Sequence, residues 1–133
     1  MTQSQKYFSG FLWSPMIEYA NEILEYINNI HHIRSYYQYK FDNTDLYKKS
    51  ILEIYTTDDI DKNKVENVKL KNMQKYENEY IYFVLNITDP KFRNKRSSNK
   101  PISMIVEDLK KDVRKKYMKK IEGYVHDIII HIA

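Results

Sequence analysis

The segment TDPKFRNKR, residues 88–96, places one carboxylate among four cations, and these residues are Asp89, Lys91, Arg93, Lys95 and Arg96. Lysine and arginine bind phosphate oxygens, and arginine does so through a planar fork of donors. A charged connection that follows an apolar strand is also a common place for a binding site. We therefore predict that the four cations hold phosphate and that Asp89 takes part in catalysis. A solvated, lysine-rich loop is the alternative interpretation.

The apolar sequence YVHDIIIHIA, residues 124–133, carries two histidines and an aspartate. On a strand, Asp127 and His131 share one face but stand about 13 Å apart, so they do not form an acid–base pair. His131 lies at the carboxyl end of this predicted strand, where a general acid or a phosphate contact is useful. We predict it as a catalytic residue. A buried structural histidine is the alternative.

Two further places suit anions or cations. Ser14 precedes Pro15 at a predicted helix start, where free backbone N–H groups can bind phosphate. Asp58 and Asp59 form a weaker candidate for Mg²⁺, the one cofactor that the sequence suggests, although the favoured interpretation of these aspartates is a pair of helix caps. The chain contains neither G-x-G-x-x-G nor G-x-x-x-x-G-K-[ST], which argues against a standard dinucleotide site or a P-loop.

The composition is that of one globular domain. The chain has 133 residues, 42% of them hydrophobic and 30% charged, and it has no cysteine. It shows no secretory signal and no apolar run long enough to span a membrane, so we predict a single cytoplasmic domain over residues 1–133. Lysine, isoleucine and tyrosine are abundant, as in proteins of AT-rich bacterial or viral genomes. The net charge of +4 is therefore only weak evidence for a polyanionic partner.

Hydrophobic periodicity predicts four strands and four helices in the order β-α-β-α-α-β-α-β. The strands cover residues 7–13, 33–41, 80–87 and 124–132. The helices cover residues 15–29, a segment that begins at residue 43 or 44, residues 61–74, and a segment from about residue 105 to a stop at Gly123.

Two architectures fit this order. Alternating strands and helices favour an α/β fold with a largely parallel sheet covered by helices on both faces, and the continuous apolar runs FVL and III support it. The alternative is a ferredoxin-like α+β sandwich with an antiparallel sheet that is open on one face. In the parallel fold, the end of the chain at a strand predicts a fragment of a longer protein. The ferredoxin-like fold ends on its last strand.

The parallel fold predicts a protein that binds a phosphate-bearing small molecule, such as a nucleotide or a sugar phosphate, with a transferase as one form of that function. Its contacts would be Ser14, the loop cations and His131. The ferredoxin-like fold predicts instead a nucleic-acid-binding module whose open face carries Arg34, Tyr36, Tyr80 and Tyr82, because tyrosines stack on bases and cations hold phosphates. A viral or phage protein that binds a host protein is a third hypothesis. The sequence leaves the oligomeric state open.

Overall fold

The computed structural model describes residues 5–57, 77–93, 102–120 and 129–132. The strands, numbered in chain order, are β1 (Gln5–Trp13), β2 (His32–Lys40), β3 (Glu79–Thr88), β4 (Phe92–Arg93), β5 (Ile102–Ser103) and β6 (Ile130–Ile132). The main sheet has the order β2-β3-β1-β6, and β4 and β5 form a separate two-stranded pair. That short pair interrupts what the sequence predicted as a plain loop.

Three α-helices connect these strands: α1 (Ala20–Ile30), α2 (Thr44–Thr57) and α3 (Met104–Tyr117). A 3₁₀ helix, Ser14–Tyr19, precedes α1, and a 3₁₀ turn, Met118–Lys120, follows α3. Helix 1 therefore begins as a 3₁₀ segment rather than as an α-helix at Pro15. Asn43 caps α2, because its Oδ1 accepts the backbone N–H groups of Asp45 at 2.8 Å and Leu46 at 3.2 Å. The helix predicted over residues 61–74 and the stop at Gly123 lie outside the described residues.

Every neighbouring pair of strands in the main sheet is antiparallel. The prediction of a largely parallel sheet with helices on both faces is therefore wrong, and the fold is α+β. Strands β1 and β2 both flank β3, and β3 and β6 both flank β1, so the connections that contain α1 and α3 each pass over one strand, whereas α2 connects the neighbouring strands β2 and β3. This arrangement is close to the ferredoxin-like alternative, with α2 inserted between β2 and β3.

One face of the sheet packs against α1 and α3. The side chains that alternate toward these helices are fully or largely buried. From the strands they are Phe8, Leu12, Ile81, Phe83, Leu85, Ile87, Ile130 and Ile132, and from the two helices Ile23, Leu24, Ile27, Val106, Leu109, Val113 and Tyr117. Burial of this apolar surface supplies the main driving force for folding.

The opposite face is covered by α2 over part of its area. Phe11, Trp13 and Tyr80 point away from α1 and α3, and they pack against Tyr47, Ile51 and Tyr55 of α2. His131 of β6 contacts Phe11 and Tyr55 of this second cluster, so β6 is buried on both of its faces. Farther along the same face, Tyr7 is 53% exposed, and Ser9, Val84 and Asn86 are only half-buried.

Candidate nucleic-acid interface

An irregularity in β2 decides which of its side chains reach the partly open face. Ile33 is opposite Leu85 of β3, whereas Ser35 is opposite Val84, so Arg34 is an extra residue between them. Such a β-bulge reverses the alternation of the residues that follow it. Tyr36 therefore lies opposite Phe83 on the side of α1 and α3, and Tyr37 lies opposite Tyr82 on the other side.

This bulge corrects the predicted nucleic-acid face. Arg34 and Tyr36 were expected to share the open face with Tyr80 and Tyr82. Tyr36 and Gln38 instead share the face of Phe83 and Ile81. Tyr37 and Tyr39 take their place beside the tyrosines of β3.

Four tyrosines mark the part of this face that α2 leaves accessible, and we call it the tyrosine face: Tyr7, Tyr37, Tyr39 and Tyr82. Tyr37 is 57% exposed and Tyr39 is 46% exposed, and their ring centroids are 6.4 Å apart. Tyr82 is half-buried beside Phe11, with 5.3 Å between the ring centroids. This part of the face is therefore aromatic and accessible, with the Tyr37 and Tyr39 rings tilted by 49° relative to each other.

Arg34 brings a cation to the tyrosine face. Its Cζ atom lies 5.5 Å from the centroid of the Tyr7 ring, although Tyr7 belongs to β1 and strand β3 runs between them. A guanidinium at this distance is attracted to the ring by a cation–π interaction of about 0.5–1 kcal/mol at an exposed position. Because Arg34 and Tyr7 are both exposed, their contact is easily exchanged for a ligand.

Asn86 lies directly opposite Tyr7 on β3. Its Nδ2 donates a long hydrogen bond of 3.5 Å to Oε1 of Gln5. Its Oδ1 is buried and accepts no hydrogen bond from the described residues. This end of the face is therefore polar, in contrast to the aromatic end around Tyr37 and Tyr39.

Tyr80 faces the same way but lies under α2. It is buried, and its hydroxyl shares a 2.7 Å hydrogen bond with the hydroxyl of Ser50. Burial raises the pKa of Tyr80 above its usual value, while the Ser50 hydrogen bond acts in the opposite direction. Tyr80 therefore belongs to the packing between the sheet and α2 and is not accessible for stacking on a base.

His131, predicted as catalytic, lies in the same cluster. It is 4% exposed, and its ring centroid is 4.5 Å from that of Tyr55 and 6.1 Å from that of Phe11. It reaches this position because it alternates with Ile130 and Ile132, which face α1 and α3. The structure thus surrounds His131 with aromatic rings beneath α2.

The predicted phosphate contacts are not brought together. Ser14 follows the end of β1 at Trp13, which is opposite Tyr80, whereas Asp89 follows the end of β3 at Thr88, which is opposite Gln5. In an antiparallel pair these two ends lie about 27 Å apart. The rule that ligands bind at the carboxyl ends of parallel strands does not apply to this sheet.

The other predicted site residues lie either near β4 or outside the described part of the chain. Asp89 and Lys91 are on the turn between β3 and β4, both with φ of 53°, and the backbone of Arg93 belongs to β4. Lys95, Arg96, Asp58 and Asp59 lie outside the described residues, so the Mg²⁺ prediction stays a prediction. Among the residues that the structure describes, no three acidic or histidine side chains gather as metal ligands.

Sequence reasoning missed Tyr7, Tyr37 and Tyr39. The signal for Tyr7 was present, because in YFSGFLW it shares a face with Phe11 and Trp13. The adjacent pair Tyr36-Tyr37 guarantees one tyrosine on each face of the sheet. Which of the two reaches the open face depends on the bulge, and no residue type in HIRSYYQYK predicts a bulge.

Comparisons with protein-family models, curated proteins and solved structures found no match to this chain. Within the described part of the chain, no helix has both the length and the apolar character needed to cross a membrane. The inference of function therefore depends on the fold and on the tyrosine face.

Proposed function

We propose that this protein binds single-stranded nucleic acid on the tyrosine face. The observation that carries the proposal is the exposure of Tyr7, Tyr37 and Tyr39 on one face of an antiparallel sheet, beside the guanidinium of Arg34. Exposed aromatic rings on a sheet are costly to leave in water unless a ligand uses them. Nucleic-acid bases are suitable ligands because each presents a flat π-face.

The chemistry of the face fits a single strand better than a duplex. Bases must be unstacked from their neighbours to lie on protein rings, and each stacked base contributes about 1–3 kcal/mol to binding. Arg34 supplies a charge for a phosphate group, and the net charge of +4 is compatible with a polyanionic partner. A cytoplasmic location agrees with a protein that lacks cysteine and meets RNA or exposed DNA.

The other two hypotheses from the sequence have less support. The phosphate-bearing small molecule, with its transferase form, stays a prediction, and the separation of Ser14 from Asp89 and Lys91 argues against one shared phosphate site. Binding of a host protein also stays a prediction. An exposed tyrosine patch suits protein partners too, so the experiment must distinguish a protein from a nucleic acid.

Neighbouring tyrosines offer a matched pair of variants for the test. Tyr36 is 60% exposed and Tyr37 is 57% exposed, yet they lie on opposite faces of β2. Tyr37→Ala should weaken binding of a labelled single-stranded RNA about 5-fold to 150-fold in fluorescence anisotropy, which is the loss of one stacked base. Tyr36→Ala should leave the affinity within about twofold of the wild type.

The salt dependence separates stacking from charge. The logarithm of the wild-type affinity should fall linearly with the logarithm of salt concentration, and Arg34→Gln should reduce that slope by about 0.7 if Arg34 contacts one phosphate. Tyr37→Ala should lower the affinity without changing the slope. If the protein binds no oligonucleotide at low salt, or if Tyr36→Ala weakens binding as much as Tyr37→Ala, the proposal is wrong. The first result would leave a protein partner as the occupant of the face.

A further inference from the structure

We infer that the tyrosine face binds a strand at two separate stacking positions, three to five nucleotides apart, with Tyr7 at one position and Tyr37 with Tyr39 at the other. This inference rests on the proposed function and specifies the length and path of the ligand. It follows from the register of the strands, from the exposure of the rings and from the area that α2 covers.

The register of the strands gives the distance between the two positions. Tyr7 is opposite Asn86 and Tyr37 is opposite Tyr82, so the two tyrosines are offset by four residues along β3. They also lie on the two strands that flank β3. An offset of about 13 Å along the strand and about 10 Å across it places the two positions about 16 Å apart on a diagonal.

The surface between these positions offers no exposed ring. The row of residues between them, across the three strands, consists of Ser9, Val84 and Ser35, which are small or aliphatic and half-buried. Tyr82 is directly opposite Tyr37 and so belongs to the second position. The intervening nucleotides therefore cross the face without a protein ring beneath their bases.

Nucleotide spacing converts the distance into a ligand length. Neighbouring phosphates on a stacked strand are separated by about 3.4 Å along the axis, and by up to about twice that value when the strand is extended. A path of about 16 Å therefore corresponds to about five stacked nucleotides or about three extended ones.

Arg34 provides a mechanism at the first position. In the free protein its guanidinium lies over the Tyr7 ring and occupies the place of a base. An incoming base displaces it, and the released guanidinium then lies beside the phosphate of the same nucleotide. The exchange replaces a weak exposed cation–π contact with base stacking and a charge-assisted hydrogen bond.

The area covered by α2 limits the path at the other end. Phe11, Trp13 and Tyr80 continue the aromatic row on this face, but all three are buried against α2. A third stacking position on the described part of the sheet would require α2 to leave its cluster. The footprint therefore ends at Tyr37 and Tyr39.

A length series tests this inference. Anisotropy at constant salt with labelled oligothymidylates of two to ten nucleotides should show an affinity that rises about 5-fold to 150-fold between two and about five nucleotides, and then only slightly. Tyr7→Ala should remove this rise while leaving dinucleotide binding within about twofold of wild type, because the second position remains. In the double variant Tyr37→Ala and Tyr39→Ala, the affinity should also stay nearly constant with oligonucleotide length, because only the first position, at Tyr7, remains.

Three further measurements make the result decisive. Tyr7→Phe should restore the length dependence, since the ring is retained, and Tyr36→Ala should leave it unchanged. Circular dichroism should show that every variant is folded. A smooth increase with length that Tyr7→Ala does not alter, or a loss of dinucleotide binding in Tyr7→Ala, would overturn the two-position arrangement while the proposed function survives. Absence of binding at every length would refute the proposed function itself.

Discussion

Gly10 of β1 and Phe83 of β3 are directly opposite each other, and the Phe83 ring lies across the α-carbon of Gly10. A Cβ atom at Gly10 would overlap the end of that ring. Phe83 is completely buried in the cluster against α1 and α3, so the ring has little room to move. The glycine inside this strand is therefore explained by close packing of an aromatic ring.

The first prediction concerns this pair. Gly10→Ala should reduce the free energy of unfolding by about 1–3 kcal/mol, because overpacking forces the Phe83 ring or the strand to shift. Urea denaturation measures the change. Combining Gly10→Ala with Phe83→Leu should cost less than the sum of the two single changes by about 0.5–3 kcal/mol. Additive costs would show that the ring does not occupy the space of the missing Cβ.

Much of the fold was accessible from the sequence. The prediction of β3 at residues 80–87 agrees with Glu79–Thr88, and the prediction of β2 at residues 33–41 agrees with His32–Lys40. The cap at the start of α2 also lies where Asn43 and Thr44 indicated it. These elements are specified locally, by alternation and by a capping side chain, and local signals are readable in a single chain.

The direction of the strands was not accessible in the same way. A helix that connects two strands is compatible with adjacent parallel strands or with a crossover that skips one strand, and both give the same order of elements. The apolar run III favoured two-sided burial by helices of a parallel sheet. In the structure, Ile129 and Ile130 of this run belong to the cluster against α1 and α3, while Tyr55 of α2 covers the other face of β6 through its contact with His131.

The candidate site depended on one inserted residue. Without the bulge at Arg34, Tyr36 would lie on the open face and Tyr37 against α1, which is what strict alternation predicts. The sequence HIRSYYQYK contains no glycine or other local signal of this bulge. Ser14 and Asp89 are far apart for a related reason, because the neighbouring antiparallel strands β1 and β3 have their carboxyl ends at opposite ends of the sheet.

The second prediction concerns the start of α3. Ser103 is buried, its hydroxyl donates to the carbonyl of Pro90, and its Oγ accepts the backbone N–H of Val106 at 3.2 Å. Ser103→Ala should therefore lower the free energy of unfolding by about 1–3 kcal/mol, because two buried partners lose their hydrogen bonds.

Asn43→Ala is the control for a cap in water. Asn43 is exposed, so water replaces its lost hydrogen bonds, and its removal should cost about 0.5–1 kcal/mol. Thermal and urea denaturation of both variants measure the difference. If Asn43→Ala lowers the free energy of unfolding more than Ser103→Ala does, the hydrogen bonds of Ser103 to Pro90 and Val106 contribute little to stability.

The third prediction concerns His131. Its burial among Tyr55, Phe11 and Trp13 predicts that His131→Gln lowers the free energy of unfolding by about 1–3 kcal/mol, since the new side chain neither fills the site nor reproduces the ring contacts of the imidazole. Nucleic-acid affinity of the folded variant should be unchanged, because α2 separates His131 from the tyrosine face.

Ile130→Ala provides the comparison for His131. Ile130 is fully buried on the other face of β6, so its truncation should cost about 2–5 kcal/mol through a cavity. Urea denaturation and anisotropy of the two variants are measured side by side. Unchanged stability of His131→Gln together with a loss of ligand binding would instead support the prediction that His131 is a site residue.

The last prediction concerns alkaline pH. Burial is the largest cause that raises the pKa of Tyr47 from 10.0 to about 12, and the neighbouring Tyr80 and Glu79 contribute to the same shift. The folded state therefore keeps the phenol proton that the unfolded state loses above pH 10, so this contribution to stability is complete below pH 10 and is lost between pH 10 and about 12. Over that interval the free energy of unfolding should fall by up to about 1.4 kcal/mol per pH unit more steeply in the wild type than in Tyr47→Phe.

At pH 8 the variant should be less stable by about 0.5–1.5 kcal/mol, because the Tyr47 hydroxyl donates a 3.3 Å hydrogen bond to the carbonyl of Glu79. Guanidinium denaturation at pH 8, 10, 11 and 12 measures both effects, and parallel pH profiles would show that Tyr47 ionises equally easily in the folded and unfolded states.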